Sequence, residues 1–151
     1  FFTAGAIYVA THKTKISELD GIGRQMPFTM AAFTVGALSM IGIPPFAGFI
    51  SKWYLSLGAL EAGDIFVLGV LATSTILNAC YFMPIVYVAF MKEPKPDPHH
   101  HEHSSSGIHE APVFAVAPLV LTAIGTVLIF FYPSLFLEII KIIVANVIGG
   151  N

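Results

Sequence analysis

The 151-residue chain contains little charge: Asp, Glu, Lys and Arg make up 11% of its residues, against about 25% in a typical soluble domain. Hydrophobic residues make up 56%, and the mean hydropathy is +0.80. Three windows, 26–51, 65–91 and 111–137, contain no charged residue and are long enough to cross a bilayer. The composition therefore excludes a soluble domain and predicts an all-α, polytopic bundle of transmembrane helices.

Residue types that carry chemistry are also scarce. Cys80 is the only cysteine, which excludes a disulfide within the chain and a cysteine-based metal site. The three apolar windows contain no Asp, Glu or His, and the chain has neither a glycine-rich phosphate loop nor the spacing of a catalytic triad. The net charge of −2 gives no basis for binding nucleic acid. The sequence thus predicts no catalytic residue, no cofactor and no nucleic-acid partner.

The hydrophobic pattern predicts a single membrane domain over residues 1–151, with helical segments at about 1–11, 27–60, 65–91 and 111–147. Segment 1–11 has no initiator Met, no basic leader and no cleavage-site pattern, so it does not resemble a signal peptide. It is interpreted as the end of a helix that was cut. The chain is therefore expected to be the C-terminal part of a longer subunit.

Two long polar connections, 12–25 and 92–110, separate the helical segments. The first contains three Lys or Arg residues and the second two, whereas the opposite side of the predicted membrane domain has Lys141 alone. Lys and Arg accumulate in cytoplasmic loops. Both connections are therefore expected to lie in the cytoplasm.

Segment 27–60 is too long for one straight span. A continuous helix over it would measure about 50 Å, whereas the hydrocarbon core is about 30 Å thick. Four residues that disfavour helix lie near its centre: Gly42, Pro44, Pro45 and Gly48. They predict a discontinuous helix, broken near 42–48. Such breaks are tolerated where the freed carbonyls are buried in protein or line a wet cavity, and these places bind or pass ions.

Lys52 is the only charged residue within 27–60 and follows the predicted break. Burial in a membrane interior disfavours the charged form of an amine, so Lys52 could exchange a proton during transport. In the alternative interpretation the helix ends near Ser51, and Lys52 reaches the headgroups beside an aromatic belt of Trp53 and Tyr54. The residues alone leave both interpretations open.

A line of polar side chains lies in window 65–91. Ser74, Asn78 and Tyr81 are spaced so that they share one helical face. With Ser51, they are candidates for lining a water path, and the alternative role is hydrogen bonding between helices.

The connection 92–110 contains a run of histidines: His99, His100, His101 and His103. Imidazoles at this density can bind transition metals, but the surrounding Pro and Ser set no geometry, so only weak metal affinity is expected. Two alternative functions follow from these observations. One is a divalent-metal transporter or sensor that uses the histidines, and the other is a passive membrane anchor.

Residues 19–27 and 36–52, with Gly-Ile-Pro-Pro and Gly-Phe-Ile-Ser-Lys, resemble a family of ion-translocating proteins. It comprises the antiporter-like membrane subunits of respiratory complex I (NADH-quinone oxidoreductase), the D subunit of Mrp-type Na⁺/H⁺ antiporters and related subunits of membrane-bound hydrogenases. The resemblance implies a proton-translocating subunit of a multisubunit complex in a bacterial or archaeal cytoplasmic membrane. It also implies that the helix with these motifs is broken and that Lys52 belongs to the proton path.

The same resemblance implies what the subunit interacts with. Its expected partners are other membrane subunits, the lipid bilayer, H⁺ and, for an Mrp-type complex, Na⁺. Any NADH oxidation or quinone reduction would belong to partner subunits, so this chain would be a translocase component without catalytic chemistry of its own.

Overall fold

The computed structural model describes residues 1–12, 15–93 and 110–148. In these ranges the regular structure is helical throughout, which confirms the predicted all-α class. Besides a short 3₁₀ helix at Ile16–Glu18, the helices in chain order are α1 (Phe2–Thr11), α2 (Ile22–Gln25), α3 (Pro27–Ile41), α4 (Ala47–Glu61), α5 (Ile65–Met91), α6 (Val113–Phe131) and α7 (Ser134–Ile148). Among them, α5 and α6 are long and apolar enough to cross a membrane, and α1 and α3 are shorter apolar helices.

The segment 27–60 contains the predicted discontinuity, with α3 before it and α4 after it. Gly42 ends α3 with φ of 89°, in the left-handed region that glycine adopts without a Cβ penalty. Pro44 and Pro45 follow and are joined by a cis peptide bond. Since neither proline has a backbone N–H, the hydrogen-bond ladder of α3 cannot continue through them.

The segment 111–147 is also divided, into α6 and α7. Tyr132 lies between them outside the helical region of φ and ψ, and Pro133 precedes the first residue of α7. The ring of a proline disfavours helical conformation in the residue before it, which explains why α6 ends here. In contrast, α5 is a single helix of 27 residues although it contains Pro84.

Helix α3 lies at the centre of the bundle and contacts α1, α2, α4, α5 and α6. A buried cluster forms around the start of α3, where Met26 and Met30 are almost fully enclosed. Its other members come from α1, α2, the end of α5 and the segment just before α6: Ala6, Ile7, Ile22, Ala89 and Ala111. Many large hydrophobic side chains of α5 and α6 remain exposed, as expected for helices that face lipid or other protein.

The connections before α3 and after α5 meet at this end of the bundle. The Asp20 carboxylate lies 3.7 Å from the Lys92 amine, and the backbone N–H of Gly21 donates to the Val88 carbonyl at 3.2 Å. The predicted cytoplasmic location of both connections stays a prediction. The histidines at 99–103 lie outside the described residues.

Candidate functional site at the helix break

The side chain of Lys52 extends from α4 back to the end of α3. Its Nζ donates hydrogen bonds to the backbone carbonyl oxygens of Met40 (3.1 Å) and Ile41 (2.8 Å) and to Oγ1 of Thr75 on α5 (2.9 Å). A lysine ammonium has three N–H donors. All three are therefore used within the bundle, and the amine is held at the break.

The two prolines explain why these carbonyls accept the lysine. In a continuous helix, the carbonyls of Met40 and Ile41 would accept from the N–H groups four residues later, at positions 44 and 45. Those positions are Pro44 and Pro45, which have no N–H. Lys52 supplies the missing donors from another helix. The negative end of the helix dipole also favours an ammonium at the end of α3.

Glycine permits the close approach of the two half-helices. Gly48, in the first turn of α4, donates its N–H to the Ser39 hydroxyl at 3.2 Å. A Cβ at this position would overlap the Ser39 carbonyl oxygen. At Gly42, a Cβ would lie 2.8 Å from Cδ of Lys52, within the path of the lysine side chain. The absence of both side chains lets Lys52 reach the end of α3.

Helix α5 closes the site from the side. Thr75 Oγ1 accepts from Lys52 and donates to the carbonyl of Leu71, one turn earlier, at 3.0 Å. Three residues after Thr75, the Asn78 side-chain amide donates to the Met40 carbonyl at 3.2 Å. The Met40 carbonyl thus accepts from both Lys52 and Asn78. Asn78 ties the end of α3 to α5 directly, and Thr75 does so through Lys52.

The predicted site residues fall into two groups. Lys52, Asn78 and the four residues of the predicted break lie together where α3, α4 and α5 meet. Ser74 lines an adjacent open groove of about 670 Å³ along α5. Ser51 is exposed on α4, and Tyr81 is 64% exposed and packs edge-on against Phe82. A path-lining role for Ser51, Ser74, Asn78 and Tyr81 stays a prediction.

Two residues that hold α3 in place, Thr75 through Lys52 and Glu110 at its first turn, were not predicted. Thr75 lies between two of the polar residues that were singled out, so its spacing from Asn78 was a usable signal. Glu110 gave no such signal. Its carboxylate accepts from the Phe28 backbone N–H (2.7 Å) and from the Thr29 hydroxyl (2.8 Å), although these residues are far away in sequence.

Glu110 thereby caps the start of α3, where free N–H groups and the positive end of the helix dipole favour a carboxylate. Helix α3 consequently has a carboxylate from another segment at its first turn and an ammonium from another helix at its last. In the part of the chain that the structure describes, no group of three His, Cys, Asp or Glu residues is arranged to hold a metal ion.

Comparison with known proteins identifies the family of the chain. Residues 1–78 match the family described as NADH:quinone oxidoreductase/Mrp antiporter, TM. The chain is 40% identical over 134 residues to NADH-quinone oxidoreductase subunit N of Desulforudis audaxviator (strain MP104C), covering 85% of this chain and 27% of the relative. It is 31% identical over 140 residues to NADH-quinone oxidoreductase subunit L of Rhodobacter capsulatus, covering 85% and 19%.

A solved structure matches as well. The Mrp complex from Dietzia sp. DQ12-45-1b contains a chain that superposes with a TM-score of 0.82 at 26% identity, over 96% of this chain and 34% of that one. The chain spans about a fifth to a quarter of the length of the curated relatives it matches. Because the family match extends over more than half of its residues, the protein belongs to the NADH:quinone oxidoreductase/Mrp antiporter transmembrane family and is an integral membrane protein.

Proposed function

We propose that the protein is part of a proton-translocating membrane subunit, in a complex of either the NADH-quinone oxidoreductase type or the Mrp type, and that Lys52 carries the proton at the helix break. One observation carries the proposal. The Lys52 ammonium occupies the position of the donors that Pro44 and Pro45 lack. A charged group inside a membrane protein is costly and is by default functional.

The contacts of Lys52 suggest how a proton would be held and released. The protonated amine is stabilised by three acceptors and by the negative end of the α3 dipole. A positive charge that arrives nearby would oppose this stabilisation through a medium of low dielectric constant and favour release of the proton. Departure of that charge would favour reprotonation. Lys52 would in this way couple its own occupancy to charge movement elsewhere in the complex.

The partners are proposed from the relatives. Two relatives are subunits N and L of NADH-quinone oxidoreductase, and the similar solved structure is that of an Mrp complex. We propose assembly with other membrane subunits in a bilayer, with H⁺ as the transported ion and Na⁺ as the exchanged ion of an Mrp-type complex. Any redox chemistry would belong to the other subunits.

The orientation is proposed from charge. The connections 12–25 and 92–110 are assigned to the cytoplasm, in a bacterial or archaeal cytoplasmic membrane, because they contain most of the Lys and Arg residues. The contacts of Asp20 with Lys92 and of Gly21 with Val88 support a common side for both.

The decisive experiment compares wild type with Lys52→Met in the full-length complex. Sealed vesicles are energised with NADH or with a sodium gradient, and proton movement is followed with a pH-sensitive dye. Methionine keeps the unbranched chain but cannot donate to the carbonyls at the end of α3. We expect the assembled variant to lose at least about tenfold in transport, since proton transfer by a positioned group contributes about 10² to 10⁴ in rate.

Lys141→Met is the matched control, because Lys141 is exposed on α7. It should transport at the wild-type rate. The driving force that works identifies the type of complex. Normal transport by assembled Lys52→Met would mean that Lys52 is an interfacial anchor, as in the passive-anchor alternative.

A further inference from the structure

We infer that Thr75 is a positioning residue that keeps Lys52 at the helix break in both of its protonation states. The inference rests on the proposed function of Lys52 and adds to it a residue on a different helix. Thr75 is partly buried on α5, and its hydroxyl is the only partner of the Lys52 amine in the described contacts that can either accept or donate a hydrogen bond.

The protonated state is the one whose hydrogen bonds match the structure. Three N–H groups of the ammonium meet three acceptors: the carbonyls of Met40 and Ile41 and the hydroxyl oxygen of Thr75. The proton of the Thr75 hydroxyl is directed to the Leu71 carbonyl at 3.0 Å. The three N–H groups of Lys52 and the hydroxyl of Thr75 therefore each have an acceptor.

The neutral state needs a different set of partners. A neutral amine has two N–H donors and one lone pair, and the carbonyls of Met40 and Ile41 can only accept. The lone pair consequently needs a donor at the third position. The Thr75 hydroxyl provides it by rotating its O–H bond from the Leu71 carbonyl to Nζ. The Leu71 carbonyl still accepts a hydrogen bond from the backbone N–H of Thr75, because the two residues are four apart in α5.

Proton release also fits the contacts of Met40. The longest hydrogen bond of Lys52, 3.1 Å, joins one of its N–H groups to the Met40 carbonyl. If that N–H turns away, the Met40 carbonyl still accepts from the Asn78 amide at 3.2 Å. This N–H of Lys52 can therefore turn to a water molecule and transfer its proton to the water, which gives a neutral amine and H₃O⁺. The amine then rotates, so that both carbonyls receive an N–H and the lone pair faces Thr75. No covalent bond of Thr75 is broken, and its hydroxyl proton stays on its oxygen.

The test removes the hydroxyl and keeps the shape. In the full-length complex in sealed vesicles, Thr75→Val leaves one unpaired position in each protonation state, so the amine turns away from the break for part of the time. We expect about a tenfold loss of proton transport, which corresponds to one hydrogen bond to a charged group. Thr75→Ser retains the hydroxyl and should stay within about threefold of wild type.

The pH dependence of transport distinguishes a hydroxyl that serves both protonation states of Lys52 from one that serves the protonated state alone. Because Thr75→Val removes one hydrogen bond from each protonation state, the pH of half-maximal transport should move by less than about one unit. A larger move with an unchanged maximal rate would mean that the hydroxyl serves the ammonium alone, and would overturn the inference.

Thr122→Val is the matched control. Thr122 is exposed on α6, and its hydroxyl donates to two carbonyls of its own helix, those of Pro118 and Leu119. It should transport normally. If Thr75→Val fails to assemble, Thr75→Ala replaces it, because alanine also lacks the hydroxyl and adds no atoms to the site.

Lys52→Met, measured in parallel, tells the two possible failures apart. A defect in Lys52→Met combined with normal transport by Thr75→Val overturns the role of Thr75 and leaves the proposed function standing. Normal transport by Lys52→Met overturns both. A defect in Thr75→Val that Thr75→Ser does not share supports the inference.

Discussion

The junction of α3 with α4 and the interior of α5 both contain proline, yet only the first is interrupted. Pro84 removes one N–H from α5, the one that would donate to the Cys80 carbonyl, and the helix continues. Pro44 and Pro45 remove two successive donors after a glycine with φ of 89°, and the helix ends. A membrane helix thus tolerates one missing donor, whereas two in succession leave carbonyls that need a donor from elsewhere. Here that donor is Lys52.

The largest expected effect comes from forcing the two half-helices apart. In Gly48→Ala, the new Cβ would overlap the Ser39 carbonyl oxygen and lie 2.7 Å from its carbon, which is rigid backbone. We expect a loss of about 3 kcal/mol in stability, the upper range for overpacking, and little intact complex after extraction in detergent. Thermal unfolding of the purified complex measures the change.

Gly58→Ala is the control on the same helix, because nothing lies within 4 Å of a Cβ at that position. It should assemble like wild type and gain up to about 1 kcal/mol from better helix propensity. Equal stability of the two variants would contradict the close packing of α3 on α4.

A smaller effect is expected from displacing the lysine without separating the helices. Gly42→Ala places a Cβ 2.8 Å from Cδ of Lys52 and also makes a non-glycine residue adopt φ of 89°. Gly63→Ala carries a similar backbone cost, at φ of 69°, with nothing within 4 Å. Each backbone cost is about 1–2 kcal/mol.

Both variants should therefore lose similar stability, but only Gly42→Ala should lose proton transport, by about three- to tenfold if one hydrogen bond of Lys52 is weakened. Proton flux per assembled complex is the quantity to compare. Equal flux in the two variants would show that the position of the Lys52 side chain over Gly42 has no influence on transport.

The smallest effect is expected in the unbroken helix. Pro84→Ala restores a donor to the Cys80 carbonyl within a helix that is already continuous. Transport should stay within about twofold of wild type, because a single missing donor in a membrane helix is readily tolerated. A loss as large as that of Lys52→Met would remove the distinction between the two prolines of the break and the one in α5.

Local sequence was sufficient to predict the break and the residue beside it. Glycine and proline act on their own backbone, so Gly42, Pro44 and Pro45 predict where α3 ends without knowledge of its neighbours. Lys52 was predictable because a lone charge in an apolar segment stands out. Its acceptors were not, since they are backbone carbonyls and a hydroxyl from α5.

Thr75 and Glu110 show where local patterns fail. Thr75 donates to the carbonyl one turn earlier, as Thr34 and Thr73 do, so apart from its spacing from Asn78 it resembles an ordinary helical threonine. Its contact with Lys52 depends on how α5 packs against α4. Glu110 caps the first turn of α3 by accepting from Phe28 and Thr29, which are 82 and 81 residues away in the sequence. Only the tertiary fold brings them together.

In the proposed function, Lys52 also has a consequence for ion selectivity. A free alkali cation held by carbonyl oxygens brings its charge in and takes it away as a diffusing particle, and the number and spacing of the oxygens select it. The ammonium at the end of α3 is covalently attached to the chain and cannot leave. The charge at that position changes only when a proton is gained or lost, so attachment to the chain, rather than the dimensions of a cavity, distinguishes protons from other cations there.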